Sequence, residues 1–143
     1  MYLLKAEHSF DSAHFLANYN GKCRNIHGHR WKVEIEVKSE SLIRGGQLDG
    51  MVVDFTDLKR DVKEMVDFYD HALIIQENTM REETLKHLME DGFKIIQVKF
   101  RPTAENFAAF FFHYMEEKGY DVKRASVYET PTNCAAYEKS EGK

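Results

Sequence analysis

Cysteine is scarce in this chain: Cys23 and Cys134 are the only ones. With no export signal in view, so few thiols exclude a disulfide framework and point to a reducing, cytoplasmic setting. Long apolar runs are missing as well. No stretch approaches the ~18 to 20 residues that a membrane-crossing helix needs. The opening "MYLLKAEHSF" has no basic leader followed by an apolar segment, so no secretory signal is expected. Positive charge is not in excess. A formal net charge of −4 argues against bulk nucleic-acid binding, which requires a basic face. Repeats, low-complexity tracts and linker-like stretches are absent from the sequence, and a length of 143 residues predicts one domain spanning 1–143. Hydrophobic content of 43% is that of an ordinary globular protein with a real core.

What the chain does have is pattern. Residues 2–15 alternate as a strand, with Phe10, Ser12 and His14 on one face. Residues 16–26 are rich in Asn and Gly and read as a loop. From His29 to Val37 the alternation is clean: His29, Trp31, Val33, Ile35 and Val37 face one way, Arg30, Lys32, Glu34 and Glu36 the other. That is a half-buried antiparallel strand. Residues 39–50 form a turn region. A helix follows over 56–69, with Leu58, Val62, Met65, Val66 and Tyr69 as its apolar stripe and Asp54 as N-cap. A short helix over 83–92 closes at Gly92, and 94–100 reads as a strand. A second long helix begins after Pro102, capped by Thr103. Phe107, Phe110, Phe111, Tyr114 and Met115 are its expected buried side, and Gly119 its end. Two last strands, 123–129 and 134–139, flank the turn "TPTN". The order predicts an α+β fold: an antiparallel four-stranded sheet with two long helices on one face, plus a small insert over 78–100. Such a sheet has two open edges, which favour self-association.

The stretch "KCRNIHGHRW" carries the chemistry. His27 and His29 are two apart, so a strand that already runs at His27 points both imidazoles to one side. Gly28 between them lets the backbone pass close to whatever lies there. Antiparallel pairing with the preceding strand brings His14 alongside. Three imidazoles converging at a sheet mouth suit zinc, and with no fourth protein ligand in sight the pattern is that of a catalytic site. The plainer reading of H-x-H is two ordinary strand histidines. Cys23 sits in a polar loop between Lys22 and Arg24, a setting in which a thiol is reactive. The bland alternative is a small buried residue, the reading preferred for Cys134 in "NCAAY". Asp70 and His71 pair a carboxylate with an imidazole at a helix end, where a histidine also meets the helix dipole favourably. Glu129 shares a strand face with Val127 and Ala125. A carboxylate there needs a partner: a guanidine-like ligand edge, Arg101, or a backbone donor.

The segments "SAHFL", "CRNIHGH", "VVDFTDLK", "YDHAL", "RPTAENFA" and "VYETPTNCAAY" occur together and in the order found in the 6-pyruvoyltetrahydropterin synthase family, which the chain resembles over nearly its whole length. The resemblance implies the tunnelling fold, in which sheets join edge to edge into a trimeric barrel and two trimers stack as a homohexamer with active sites between subunits. It implies His14, His27 and His29 as zinc ligands and Cys23 as the catalytic thiol. Asp70 and His71 become a proton relay, and Glu129 the binder of the 2-amino and N3 edge of a pterin. Thr103 and Glu105 help to seat that substrate. The spacing C-x-x-x-H-G-H resembles the branch of the family in queuosine and 7-deazapurine biosynthesis, whereas the animal-type pyruvoyl enzymes have a longer gap.

For that branch the resemblance implies a zinc-dependent lyase. It would convert 7,8-dihydroneopterin triphosphate to 6-carboxy-5,6,7,8-tetrahydropterin, releasing acetaldehyde and triphosphate. Lys22, Arg24, Arg30 and Arg101 are the cations available to the triphosphate. Nucleic acid and membrane are not expected partners. Two alternatives compete: triphosphate elimination that leaves the side chain whole, and a non-catalytic zinc-binding assembly module. A zinc hydrolase ranks last, because the chain has no H-E-x-x-H.

Overall fold

The computed structural model describes residues 1–140. The elements run β1 (Tyr2–His14), β2 (His27–Ser39), α1 (Phe55–Asp67), β3 (Ala72–Gln76), α2 (Glu82–Glu90), β4 (Ile95–Val98), α3 (Ala104–Glu117), β5 (Val122–Thr130) and β6 (Asn133–Tyr137). A short 3₁₀ turn, Lys22–Arg24, sits in the first loop. All strands join one sheet in the order β4-β3-β1-β2-β5-β6.

The expected antiparallel sheet is present as the contiguous block β1-β2-β5-β6, and the expectation of four strands falls short by two. β3 pairs parallel to β1 and β4 parallel to β3. The cause lies in the sequence. Strands in parallel pairs read as unbroken apolar runs, and "ALII" is too short to be told from a helix end by period. Parallel neighbours also need a crossover between them. The segment over 78–100 is that crossover: α2 leaves after β3 and returns the chain as β4.

β2 is longer than its alternation predicted, starting already at His27. Its inward side chains Trp31, Val33, Ile35 and Val37 are at most 1% exposed. α1 and α3 cover this face and leave the other open. Asp54 caps α1 by accepting from Thr56 N at 2.8 Å, and Thr103 caps α3 by accepting from Asn106 N at 3.2 Å. Each cap satisfies one of the orphan N–H groups of a first helical turn. Gly119 ends α3 at φ +100, a conformation that costs glycine nothing.

α3 is embedded more broadly than its predicted stripe. Phe112, absent from that stripe, is 1% exposed and meets Tyr137 of β6 with ring centroids 5.0 Å apart. Phe110, included in it, is 37% exposed. The helix lies across β5 and β6, so its buried arc is rotated toward them. Cys134 is corrected too: it is exposed, because Ala135 and Tyr137 are the β6 side chains that pack inward. No helix among the described residues is long and apolar enough to cross a membrane.

Candidate active site

The antiparallel register sets His14 opposite His27, at the end of β1 and the start of β2. His29 follows two residues along the same face. The three rings converge, with centroid separations of 4.7 Å (His14–His27), 5.2 Å (His14–His29) and 4.8 Å (His27–His29). Ligand atoms of His14, His27, His29 and Glu129 all lie within 4.8 Å of one another, close enough to hold one metal ion. The sequence offered no fourth ligand, and the structure brings the Glu129 carboxylate to the same spot.

Two backbone carbonyls fix the rings. His14 Nδ1 donates to Pro102 O at 2.7 Å and His27 Nδ1 donates to Asn25 O at 2.6 Å. Such partners select the tautomer whose Nε2 carries a free lone pair, the arrangement that orients metal-binding histidines. The Nε2 atoms of His14 and His29 are buried with no hydrogen-bond partner among the described residues. Glu129 Oε1 approaches His29 Nε2 to 3.0 Å and His14 Nε2 to 4.0 Å without hydrogen-bond geometry. Nitrogens and oxygen are aimed at a common point rather than at each other. Buried acceptors left unpaired are costly, and a shared cation removes that cost. The donor set of imidazole and carboxylate suits zinc.

Burial acts in the same sense. It pushes the His14 pKa down to about 4; the Pro102 carbonyl opposes this, and neighbouring His27 and His29 add to it. His29 is lowered by burial against the pull of Glu129, with His27 adding to the drop. Neutral rings are the form that ligates metal.

Asp70 and His71 do form a pair: His71 Nδ1 donates to Asp70 Oδ2 at 2.9 Å. They sit in the turn between α1 and β3, and the His71 side chain is 79% exposed. Asp70 Oδ1 accepts from the Asp11 amide at 2.9 Å. That bond first, and then His71 and Lys94, hold the Asp70 carboxyl below the usual carboxylate range. His71 and His29 line one cavity of about 630 Å³, along with Asp11, Arg30 and Lys94. A second cavity of about 450 Å³, lined by Lys32, Tyr128 and Glu129, shares Gly28, His29 and Arg30 with the first.

Cys23 is not brought to the pair. It is half-buried in the 3₁₀ turn, and its thiol makes no hydrogen bond among the described residues. Its carbonyl accepts from Leu16 N at 2.9 Å, which draws the turn against the end of β1, two residues beyond His14. Glu105 is exposed in the first turn of α3, while Thr103 is engaged as cap. Arg101 donates to Ala17 O at 2.9 Å and stacks over Tyr19, so it is not the partner of Glu129. Arg30 pairs with Asp11 at 3.0 Å beside both cavities. Sequence reasoning missed the carbonyls of Asn25 and Pro102, which carry no residue-type signal. It also missed the hold of Asp11 and Lys94 on the dyad.

Ring nitrogens and a carboxylate poised around one point could hold a metal ion, and the cavity beside them also holds a further imidazole. The chain belongs to the 6-pyruvoyl tetrahydropterin synthase family, whose family model matches residues 3–140. It is 36% identical over 142 residues to a 6-carboxy-5,6,7,8-tetrahydropterin synthase of Haemophilus influenzae, covering 97% of this chain and all of that one (100%). A protein of the same name from Synechocystis is 32% identical, with 96% and 93% covered. In fold, a 6-pyruvoyl tetrahydropterin synthase of Caenorhabditis elegans superposes with a TM-score of 0.68 at 22% identity, covering 97% of this chain and 96% of that chain. An uncharacterized protein of Wolinella succinogenes superposes with a TM-score of 0.79 at 21% identity, covering 97% and 98%.

Proposed function

We propose that this protein is a zinc-dependent 6-carboxy-5,6,7,8-tetrahydropterin synthase. It takes 7,8-dihydroneopterin triphosphate and releases acetaldehyde and triphosphate, a carbon–carbon lyase step in queuosine and 7-deazapurine biosynthesis. The observation that carries the reading is the pair of buried, unpartnered Nε2 atoms on His14 and His29. The C-x-x-x-H-G-H spacing and the full-length relatives of that name support the branch.

His14, His27 and His29 would hold the zinc, which when bound supplies Lewis acidity toward substrate hydroxyl groups. The remaining work falls to side chains. His71, kept by Asp70 with Nδ1 as donor, presents Nε2 to the cavity as the proton-transferring atom. Cys23 acts as the thiol base. Glu129 takes the 2-amino and N3 edge of the pterin in paired hydrogen bonds, which requires it to turn away from His29. Glu105 and Thr103 seat the ring. For the triphosphate, Arg30 is favoured over Arg101, because Arg30 lines both cavities while Arg101 lines neither and binds Ala17 O.

The site is completed by other copies. β3 covers the outer edge of β1 only at Ser12–His14 and the turn before β3 binds Asp11, so among the described residues the edge over 2–10 is open, as is that of β6. Two open edges on one sheet fit ring closure into a trimer and stacking of two trimers. The exposed His71 and the distant Cys23 are accounted for if they meet across subunits.

The deciding experiment is incubation of the zinc-loaded protein with 7,8-dihydroneopterin triphosphate and identification of products. Acetaldehyde with 6-carboxytetrahydropterin is expected. Triphosphate release with an intact side chain would show the pyruvoyl reaction instead, and no turnover would leave a non-catalytic zinc module.

A further inference from the structure

The turn that carries Asp70 and His71 is held from both sides by groups that the proposed reaction does not use. His71 stands at φ +54, a left-handed conformation uncommon for a residue other than glycine. On one side is β1. Ser12 Oγ donates to Tyr69 O and accepts from Ala72 N at 3.4 Å, so one hydroxyl joins the two ends of the turn. Ser12 is only 6% exposed and lies on the same face as His14. Asp11 O accepts from His71 N at 2.6 Å, and Asp11 N donates to Asp70 Oδ1 at 2.9 Å. On the other side is the crossover segment. Lys94 Nζ donates to Asp70 O at 2.9 Å, and Leu73 N donates to Lys94 O at 3.0 Å. Tyr69 O, Asp70 O, His71 N and Ala72 N are thus each tied to a group outside the turn.

A strained residue persists where its surroundings over-determine it. We propose that Ser12 and Lys94 are positioning residues for proton transfer, clamping the Tyr69–Ala72 turn so that the His71 ring faces the metal cavity. The crossover over 78–100 thereby gains a role, because it delivers Lys94 to the back of the dyad. Because β1 also carries His14, one strand sets the placement of both the metal ligand and the relay. The proposal rests on the reading of Asp70 and His71 as that relay.

The test has two arms. In the first, Ser12→Ala and Lys94→Met are assayed with 7,8-dihydroneopterin triphosphate and zinc. The expected result is a fall in kcat of about tenfold to a hundredfold, the cost of a misplaced catalytic group. KM should stay within about twofold and bound zinc should be unchanged. Ser12→Thr and Lys94→Arg, which keep the donors, should recover most of kcat. Wild-type kcat in both truncated variants, or no recovery in both conservative ones, overturns the proposal. Should Ser12→Ala fail to fold by near-ultraviolet circular dichroism, the Lys94 pair decides. The second arm needs no substrate. Nitrogen-15 NMR of the His71 ring should show a single Nδ1–H tautomer in the wild type and an averaged signal in Ser12→Ala. An averaged signal already in the wild type also overturns the proposal. Absence of turnover in the wild type, with the NMR difference intact, would instead count against the pterin reading.

Discussion

At the scale of single residues, the proposed reading gives metal binding and chemistry to separate groups, and mutation should pull the two apart. His27→Ala removes a ring already aimed by Asn25 O. We expect it to lose the ion, measured by elemental analysis after dialysis. Cys23→Ala leaves the histidines untouched, so it should keep full zinc while turnover disappears. An active Cys23→Ala variant would remove the thiol from the mechanism. Tyr69 offers a test of burial instead. Desolvation, with Tyr114 adding, pushes its phenol up to about 12. The unfolded chain releases that proton near pH ~10, while the folded chain keeps it. Between those values the unfolded state binds fewer protons, so stability falls as pH rises, by roughly 2 to 3 kcal/mol across the window. Tyr69→Phe should flatten this part of the alkaline limb in urea unfolding, and an unchanged slope would show that the phenol is not shielded.

At the scale of elements, legibility followed period and length. β2 could be read because five inward residues alternate with charged ones, and α1 because its stripe and its Asp54 cap agree. The histidine site was legible for the same reason: strand alternation puts His27 and His29 on one face, and hairpin register brings His14 to them. What could not be read was whatever depended on a third body. β3 is short and makes sense only as a parallel partner of β1, and although 94–100 read as a strand, its place beside β3 did not show. Glu129 looked like a carboxylate in need of a partner, and only the placement of β5 beside β2 shows that it ends next to the histidine cluster. Cys134 took its expected burial from neighbours that point the other way. The helix–sheet layer also makes a prediction. Phe107, 0% exposed, packs edge-on against Trp31 at 5.6 Å and Tyr69 at 5.6 Å. Phe107→Ala should cost about 3 to 5 kcal/mol in denaturant unfolding, the usual loss for a fully buried aromatic ring. A cost under about 1 kcal/mol would mean the layer repacks freely.

At the scale of the whole molecule, the described residues leave strand edges unpaired along β1 and β6, and on the proposed reading one chain presents only part of a reaction chamber. Sedimentation equilibrium should give about six times the chain mass, with trimers as the dissociation product, in keeping with ring-forming edges. A stable monomer that turns over substrate would contradict the assembly. Activity should then fall on dilution below the association range, since relay and thiol would come from different copies.

His14 is tethered to Pro102 O, immediately before the residue that caps α3. An ion gripped by His14 is therefore mechanically joined to the longest helix of the fold. Any ligand that prefers the native chain raises its melting temperature with the logarithm of free concentration. The protein should consequently behave as a thermometer of its own zinc supply. Its unfolding midpoint should climb several degrees with each large step in buffered zinc and drop back when a chelator is added. A midpoint indifferent to zinc would mean that the native chain does not bind the ion in preference to the unfolded one.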